Sequence, residues 1–366
     1  MLSPLYTKVT KLKGKYHSST VRNVALLLSA ILQTRSVNLN KLKDDLGNLL
    51  ANHHRQADSH YKRLVRFFDT YACSRLFLDL LQWALTLLSA KVEYLYLDAT
   101  EWEFGSLQIH VLVLSADYKG VCVPVFFTIY SHKGILSEKK RIGFVKKCLL
   151  FYKLQDKILM ADREFIGKDW FSFLDKHGIY FIIRLRKGNY GKAISESKPY
   201  EKLQKQACKK GYAHTKFSLQ QRQYRVEMWR TDNAKEPIVY LLTNLVKAKR
   251  VGKKYRNRWR IEYCFKHLKT NGFNLEDLSL KDVKKIRLLI ALVIVVYVLA
   301  IREGYLAGRH KATALKEYAN KKIYPAVSVF RIGLFWIKNA FQDLYSFIRY
   351  LTTLKTNKHY LLQNVQ

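Results

Sequence analysis

The spacing of apolar residues along this chain changes period near residue 90 and again near residue 250. Up to about residue 88 the apolar positions recur at helical spacing. Val21 to Gln33 is apolar-rich, Asn38 to Leu50 opens on an Asn cap, and Ser59 to Phe68 sets Lys62, Arg63 and Arg66 among Leu64, Val65, Phe67 and Phe68. A further helix is predicted over Ser74 to Leu88, after the Asp69-Thr70 break. From Val92 the pattern becomes that of strands. Val92 to Leu97 is β-branched and aromatic and ends at Asp98. Leu107 to Ser115 and Val121 to Tyr130 are two more strands, joined by the turn residues Asp117-Tyr118-Lys119-Gly120. Pro124 inside the third strand predicts a sheet edge, because proline gives no donor to a ladder.

Ser137 caps a predicted basic helix running to about Tyr152. Ile158 to Ala161 is a short buried strand that stops at Asp162. A helix over Lys168 to His177 closes on Gly178, and a fifth strand covers Ile179 to Leu185. The order strand, strand, strand, helix, strand, helix, strand predicts an α/β fold. A wholly apolar fourth strand beside an antiparallel hairpin predicts a mixed sheet flanked by helices. Residues 187–250 interrupt this order. They are rich in Gly, Ser and Lys up to Gly211, and then alternate over Thr215 to Leu219, Tyr224 to Arg230 and Ile238 to Thr243. The reading is a β-rich insertion, after which a helix carrying Glu262 returns to the main sheet.

Five segments follow. Residues 1–88 form a helical region whose short basic helices suit a DNA-binding head or a helical cap on the next domain, 89–186 and 251–302 are the two parts of the sheet-containing core, 187–250 the insertion, and 303–366 a C-terminal helical region. Leu288 to Ile301 is a 14-residue apolar run, short of the roughly 20 residues a bilayer requires, so it is expected to be a core helix and no membrane is expected as partner. Met1 to Lys15 is broken by Lys8, Lys11 and Lys13 and lacks a signal-peptide pattern.

Charge narrows the partner. Lys plus Arg number 65 and Asp plus Glu 28 across 366 residues, a formal excess of +37. Such an excess repels itself and relaxes against a polyanion, DNA or RNA before an anionic membrane surface. Five cysteines with no Cys-x-x-Cys disfavour zinc ligation and a disulfide framework, and fit a reducing cytoplasm.

In a chain this poor in acids, three stand out. Asp98 and Asp162 end the first and fourth predicted strands, so parallel neighbours would present both at one sheet edge. Glu262 lies in Tyr255-Arg256-Asn257-Arg258-Trp259-Arg260-Ile261-Glu262. On a continuous helix Tyr255, Arg258, Glu262 and Lys269 fall on one face, within roughly 60° of each other. Hard carboxylate oxygens with open positions suit Mg²⁺ or Mn²⁺. Two such ions about 4 Å apart activate the attacking oxygen and stabilise the leaving oxygen of an in-line displacement. Arg258, Lys266 and Lys269 would meet DNA phosphates, and the Tyr255 hydroxyl would meet a backbone phosphate. Each acid also fits a plainer role: Asp98 as a cap before Ala99, Asp162 paired with Arg163, Glu262 paired with Arg258 or Lys266. Glu101, Glu103 and Glu164 are set aside as lying beyond the strand ends. Trp259 and Trp102 fit core or hinge packing better than base-stacking platforms, and Trp229 is the one tryptophan of the insertion.

These residues resemble the insertion-sequence transposases of the DDE, RNase H-like superfamily, in the group marked by Tyr-x2-Arg-x3-Glu-x6-Lys. Tyr255, Arg258, Glu262 and Lys269 keep every spacing of that signature. Asp98 in Leu-Asp-Ala-Thr-Glu-Trp and Asp162 in Met-Ala-Asp-Arg-Glu-Phe are similar to the family's two aspartates. The resemblance implies an RNase H-like core with Asp98, Asp162 and Glu262 as catalytic and metal-holding residues. It implies two Mg²⁺ (or Mn²⁺) ions, nicking at transposon ends and joining of the freed 3′-OH to target DNA. It also implies terminal inverted repeats as DNA partner, a homodimer in a synaptic complex, and action on nucleoid DNA in a bacterial cytoplasm. An RNase H-like nuclease, or a DNA-binding protein without catalysis, remains the alternative.

Overall fold

The computed structural model describes residues 15–50, 57–104, 107–131, 134–186, 200–219, 221–234, 236–248, 250–308, 315–317, 321, 323–356 and 362. In chain order, four helices come first: α1 (Ser18–Thr34), α2 (Leu39–Leu49), α3 (Ala57–Tyr71) and α4 (Leu76–Thr86). Then follow β1 (Tyr94–Phe104), β2 (Leu107–Tyr118), β3 (Val121–Tyr130), α5 (Glu138–Leu149), β4 (Ile158–Ala161), α6 (Lys168–Lys176) and β5 (Tyr180–Arg184). The insertion contributes α7 (Tyr200–Lys210), β6 (Tyr212–Leu219), β7 (Arg222–Arg230) and β8 (Ile238–Thr243). Next come α8 (Val251–Tyr255), a 3₁₀ turn (Arg256–Arg258), α9 (Trp259–Leu268) and α10 (Val283–Gly308). A small β9–β10 pair (Leu315–Glu317, Ile323–Pro325) precedes α11 (Val329–Ala340) and α12 (Leu344–Thr353).

The chain divides into two compact units. One comprises Met1–Ser89, Trp102–Ile109 and Cys264–Leu361. Its centre is α10, where every residue from Leu288 to Ile301 is buried. Helices α1, α3, α4 and α11 pack on α10. The N-terminal helices therefore share one core with the C-terminal ones, because their apolar faces meet the same helix. Among the described residues no helix is long and apolar enough to cross a membrane.

The other unit comprises Ala90–Glu101, His110–Tyr263 and Leu362–Gln366. It carries a mixed sheet flanked by helices, eight strands in the order β3-β2-β1-β4-β5-β8-β7-β6. β1, β4 and β5 are parallel neighbours; β2–β3 is an antiparallel hairpin; and β8 runs antiparallel to β5. The mixed α/β fold is the expected one, and β3, with Pro124, lies at the edge.

Three features depart from the sequence reading. β1 does not stop at Asp98 but runs to Phe104, because its pairing with β2 outlasts its pairing with β4. Asp98 is thus within a strand, as are Glu101 and Glu103. The strands of the insertion extend the main sheet through β8, since the alternating face of Ile238 to Thr243 pairs with the open side of β5. The Tyr255–Lys269 stretch is not one helix: the 3₁₀ turn at Arg256–Arg258 divides it, and α9 ends before Lys269.

Candidate active site

A row of aligned residues sets out the site. Leu97 pairs with Ala161 across β1 and β4, and Ala161 with Ile183 across β4 and β5. The next residue on each strand is Asp98, Asp162 and Arg184. Adjacent strands lie about 4.8 Å apart, so a short apolar β4 places two carboxylates and a guanidinium along one line.

Asp98 has a side chain only 15% exposed, and its Oδ1 accepts the Ala99 N–H at 3.0 Å. Asp162 accepts the Arg163 N–H at 2.7 Å, and Arg184 Nη1 stands 3.9 Å from it. Arg184 is also paired with Glu236. Each aspartate thus accepts the next residue's backbone N–H, as a cap or turn residue would, alongside a longer-range guanidinium partner.

Arg258 joins the helical segment to the sheet. Its guanidinium is nearly buried, 7% exposed. Nη1 reaches Asp98 Oδ2 at 3.3 Å and Nη2 reaches Glu262 Oε1 at 2.6 Å. The group also lies over the rings of Tyr255 and Trp259, at 6.0 and 5.7 Å from their centroids. Tyr255 donates its hydroxyl to the Ala161 carbonyl at 3.2 Å, at the end of β4. On the other side of α9, Arg260 binds Asp117 at 2.6 Å, and the Tyr96 hydroxyl donates to the same carboxylate at 3.0 Å.

The acids feel one another. Burial pushes the Asp98 carboxyl up to about 7; Arg258 opposes this, and Glu164 and Asp162 add to it. Glu164 is raised by burial and then by Asp162, and Glu262 is raised by burial against the pull of Arg258. Arg258 is driven up, since Tyr255, Asp98, Asp162 and Glu262 outweigh its own burial. A carboxyl whose folded pKa exceeds its unfolded one keeps its proton longer in the fold. Ionising Asp98 therefore costs stability as pH rises from about 4 to about 7, and a cation would offset that cost.

Asp98, Asp162, Tyr255, Arg258 and Glu262 lie in the sheet-containing unit, linked by the contacts above. Lys266 and Lys269 fall in the helical unit. Lys266 is exposed. Lys269 pairs with Glu276 at 2.9 Å and lies 5.2 Å from the Trp102 ring centroid. Glu164, set aside from the sequence, shares the field of Asp98 and Asp162. Arg184 was not singled out, although its place at the end of the strand after Asp162 is a readable signal. Trp229 packs against Gly252 and Tyr212 and carries Arg256 over its ring.

As a donor set, half-buried carboxylates at the neighbouring ends of β1's and β4's paired stretch suit a hard divalent ion. Among the described residues no three Asp, Glu, His or Cys side chains converge to hold one ion; Arg258 stands between Asp98 and Glu262. A cleft of about 530 Å³ adjoins Asp162, lined by Arg163, Arg184, Arg186, Gln204, Glu236 and Tyr240 among others.

Residues 144–299 match the family model of the transposase DDE domain. That span contains Asp162, Tyr255, Arg258, Glu262, Lys266 and Lys269 and begins after Asp98. No curated protein matches the chain. Among solved structures, a piggyBac transposase synaptic complex with hairpin DNA aligns with a TM-score of 0.47 at 9% identity, covering 97% of this chain and 80% of that one.

Proposed function

We propose that this chain, whose residues 144–299 match the family model of the transposase DDE domain, nicks DNA at transposon ends and joins the freed 3′-OH to target DNA. The observation that carries the reading is that Asp98 and Asp162 each follow the last pair, Leu97 with Ala161, of two adjacent parallel strands, with Glu262 tied to Asp98 through Arg258.

Asp98, Asp162 and Glu262 do not converge on one ion while Arg258 lies between Asp98 and Glu262; they would hold Mg²⁺ or Mn²⁺ with DNA bound, and the ions would then supply activation of the attacking oxygen and stabilisation of the leaving oxygen. The chain's own groups do the rest. Arg258 fixes Asp98 and Glu262 relative to each other and keeps positive charge beside the place where phosphoryl charge develops. Tyr255 steadies the end of β4 through the Ala161 carbonyl, and so steadies Asp162. Arg163, Arg184 and Arg186 line a cleft of the size and charge to take a strand's phosphates. Lys266 and Lys269 are proposed as phosphate contacts on the helical unit. The two-ended chemistry calls for a second copy of the chain, and the terminal inverted repeats are the proposed partner.

The test is cleavage of a labelled duplex carrying the terminal repeat of the encoding element. Cleavage should need Mg²⁺ or Mn²⁺, cease with a chelator, and fall at least about a hundredfold in Asp98→Asn. Metal-independent cleavage, or an Asp98→Asn variant as fast as the parent, would overturn the reading.

A further inference from the structure

Strand β7 of the insertion holds a carboxylate that the chemistry above does not use. Glu227 is fully buried, at 0% exposed, between β6 and β8. A carboxyl group in such a place is costly to desolvate unless it is paired and hydrogen-bonded. Both of its oxygens are engaged. Oε2 takes Arg225 Nη2 at 3.2 Å, two residues back on the same face. Oε1 takes the Gly252 backbone N–H at 2.9 Å. That N–H is one of the donors a helix start leaves without an internal partner, and here it belongs to α8, the first turn of the segment that leads to Glu262.

Trp229 is two residues further along β7 and so faces the same side. Its ring lies where a Cβ on residue 252 would stand; an added carbon would overlap ring atoms outright. Arg256 sits over the same ring at 5.5 Å from its centroid, and Arg250 sits over the neighbouring Tyr212 at 5.5 Å. The backbone of residues 250–256 is therefore pressed onto β6 and β7, with a glycine as the only residue that allows the approach.

Downstream, the same segment makes its bonds to the site: Tyr255 to Ala161, Arg258 to Asp98 and Glu262, Arg260 to Asp117. A displacement at Gly252 passes along α8 and the 3₁₀ turn to Arg258 and Glu262. We infer that Glu227 and Trp229 are positioning residues, fixing through Gly252 where Arg258 and Glu262 stand relative to Asp98 and Asp162. The inference rests on the reading of Glu262 as a phosphoryl-transfer residue. It gives the insertion strands a task in the reaction beyond widening the sheet.

The test uses the full chain with Gly252→Ala, Trp229→Leu and the two combined, assayed on the terminal-repeat duplex with Mg²⁺. Gly252→Ala should lower kcat about a hundredfold, the effect expected of a displacement of about 1 Å in reacting groups, with KM for the duplex changed less than about threefold. Trp229→Leu should slow the parent yet speed the Gly252→Ala variant at least about tenfold, a change of sign expected where the added methyl meets the ring that the second substitution removes. A Gly252→Ala variant as fast as the parent, or a double variant no faster than Gly252→Ala, overturns the inference. A second measurement does not depend on cleavage. In Glu227→Gln, which loses its pairing with Arg225, amide hydrogen exchange should quicken over residues 250–262 and stay unchanged over 158–184. Unchanged exchange over 250–262, or equal quickening across the whole unit, also overturns it. If the parent cleaves nothing, the functional reading fails while the exchange measurement still decides the positioning.

Discussion

Arg258 divides one guanidinium between two carboxylates, Asp98 at 3.3 Å and Glu262 at 2.6 Å. The spacing of Tyr255, Arg258 and Glu262 is in the chain itself, and an i,i+4 pair such as Arg258–Glu262 follows from helix geometry. The bond from Arg258 to Asp98 spans 160 residues and depends on how α8 docks on the sheet. The hydroxyl of Tyr255 goes to the Ala161 carbonyl, a bond that no spacing rule supplies. His267 shows a separate effect at this scale. Its ring stacks on Phe330 at 4.5 Å, and burial, then Lys266, hold its pKa down at about 4. The unfolded chain keeps the ordinary value near 6.5, so between about pH 6.5 and 4 the unfolded state binds the extra proton. Stability is then lost as pH falls through that window, by about 2 kcal/mol after allowance for the ring's partial exposure. His267→Phe keeps the stack and removes the proton site. Urea midpoints should show the variant more stable than the parent at pH 5, and the gain should shrink by pH 7.5. An equal gain at both pH values would contradict the assignment.

Elements were legible where the apolar period was clean. Ile158 to Ala161, Val121 to Tyr130 and Ile238 to Thr243 occur over those residues. Polar stretches concealed others. Helix α7 spans a Lys- and Gln-rich segment with a narrow apolar stripe at Leu203 and Ala207, and the 3₁₀ turn at Arg256–Arg258 leaves no mark in composition. Leu97 closes the apolar run and so predicts a strand end at Asp98, whereas β1 continues to Phe104 through a stretch that mixes acids with Ala99 and Trp102. Helix packing in the helical unit rests on a similar detail. The backbone of Gly333 on α11 comes against the Ala300 carbonyl and the Gly304 amide of α10, with no room for a side chain. Gly333→Ala should destabilise the protein by about 1–3 kcal/mol through overpacking, read as a lower thermal midpoint. An unchanged midpoint would mean that the helices can part at no cost.

For the whole molecule, the charge of +37 fits a partner that is itself a polyanion, and DNA is the polyanion that the proposed function calls for. Binding of the terminal-repeat duplex, followed by fluorescence anisotropy, should weaken steeply with salt. Neutralising about six phosphates lowers affinity about a thousandfold between roughly 50 and 200 mM salt. A flat salt response would contradict a phosphate-led interface. Binding alone does not separate a transposase from a protein that uses only its charge; the acid set does. The decisive measurement is cleavage of the labelled terminal-repeat duplex with Mg²⁺ by the parent and by Glu262→Gln. That substitution keeps the shape of the side chain and its bond from Arg258, and removes the carboxylate charge. Cleavage by the parent, reduced at least about a hundredfold in the variant at unchanged duplex affinity, is the predicted result. Equal cleavage by both would remove Glu262 from the chemistry and contradict the three-carboxylate site.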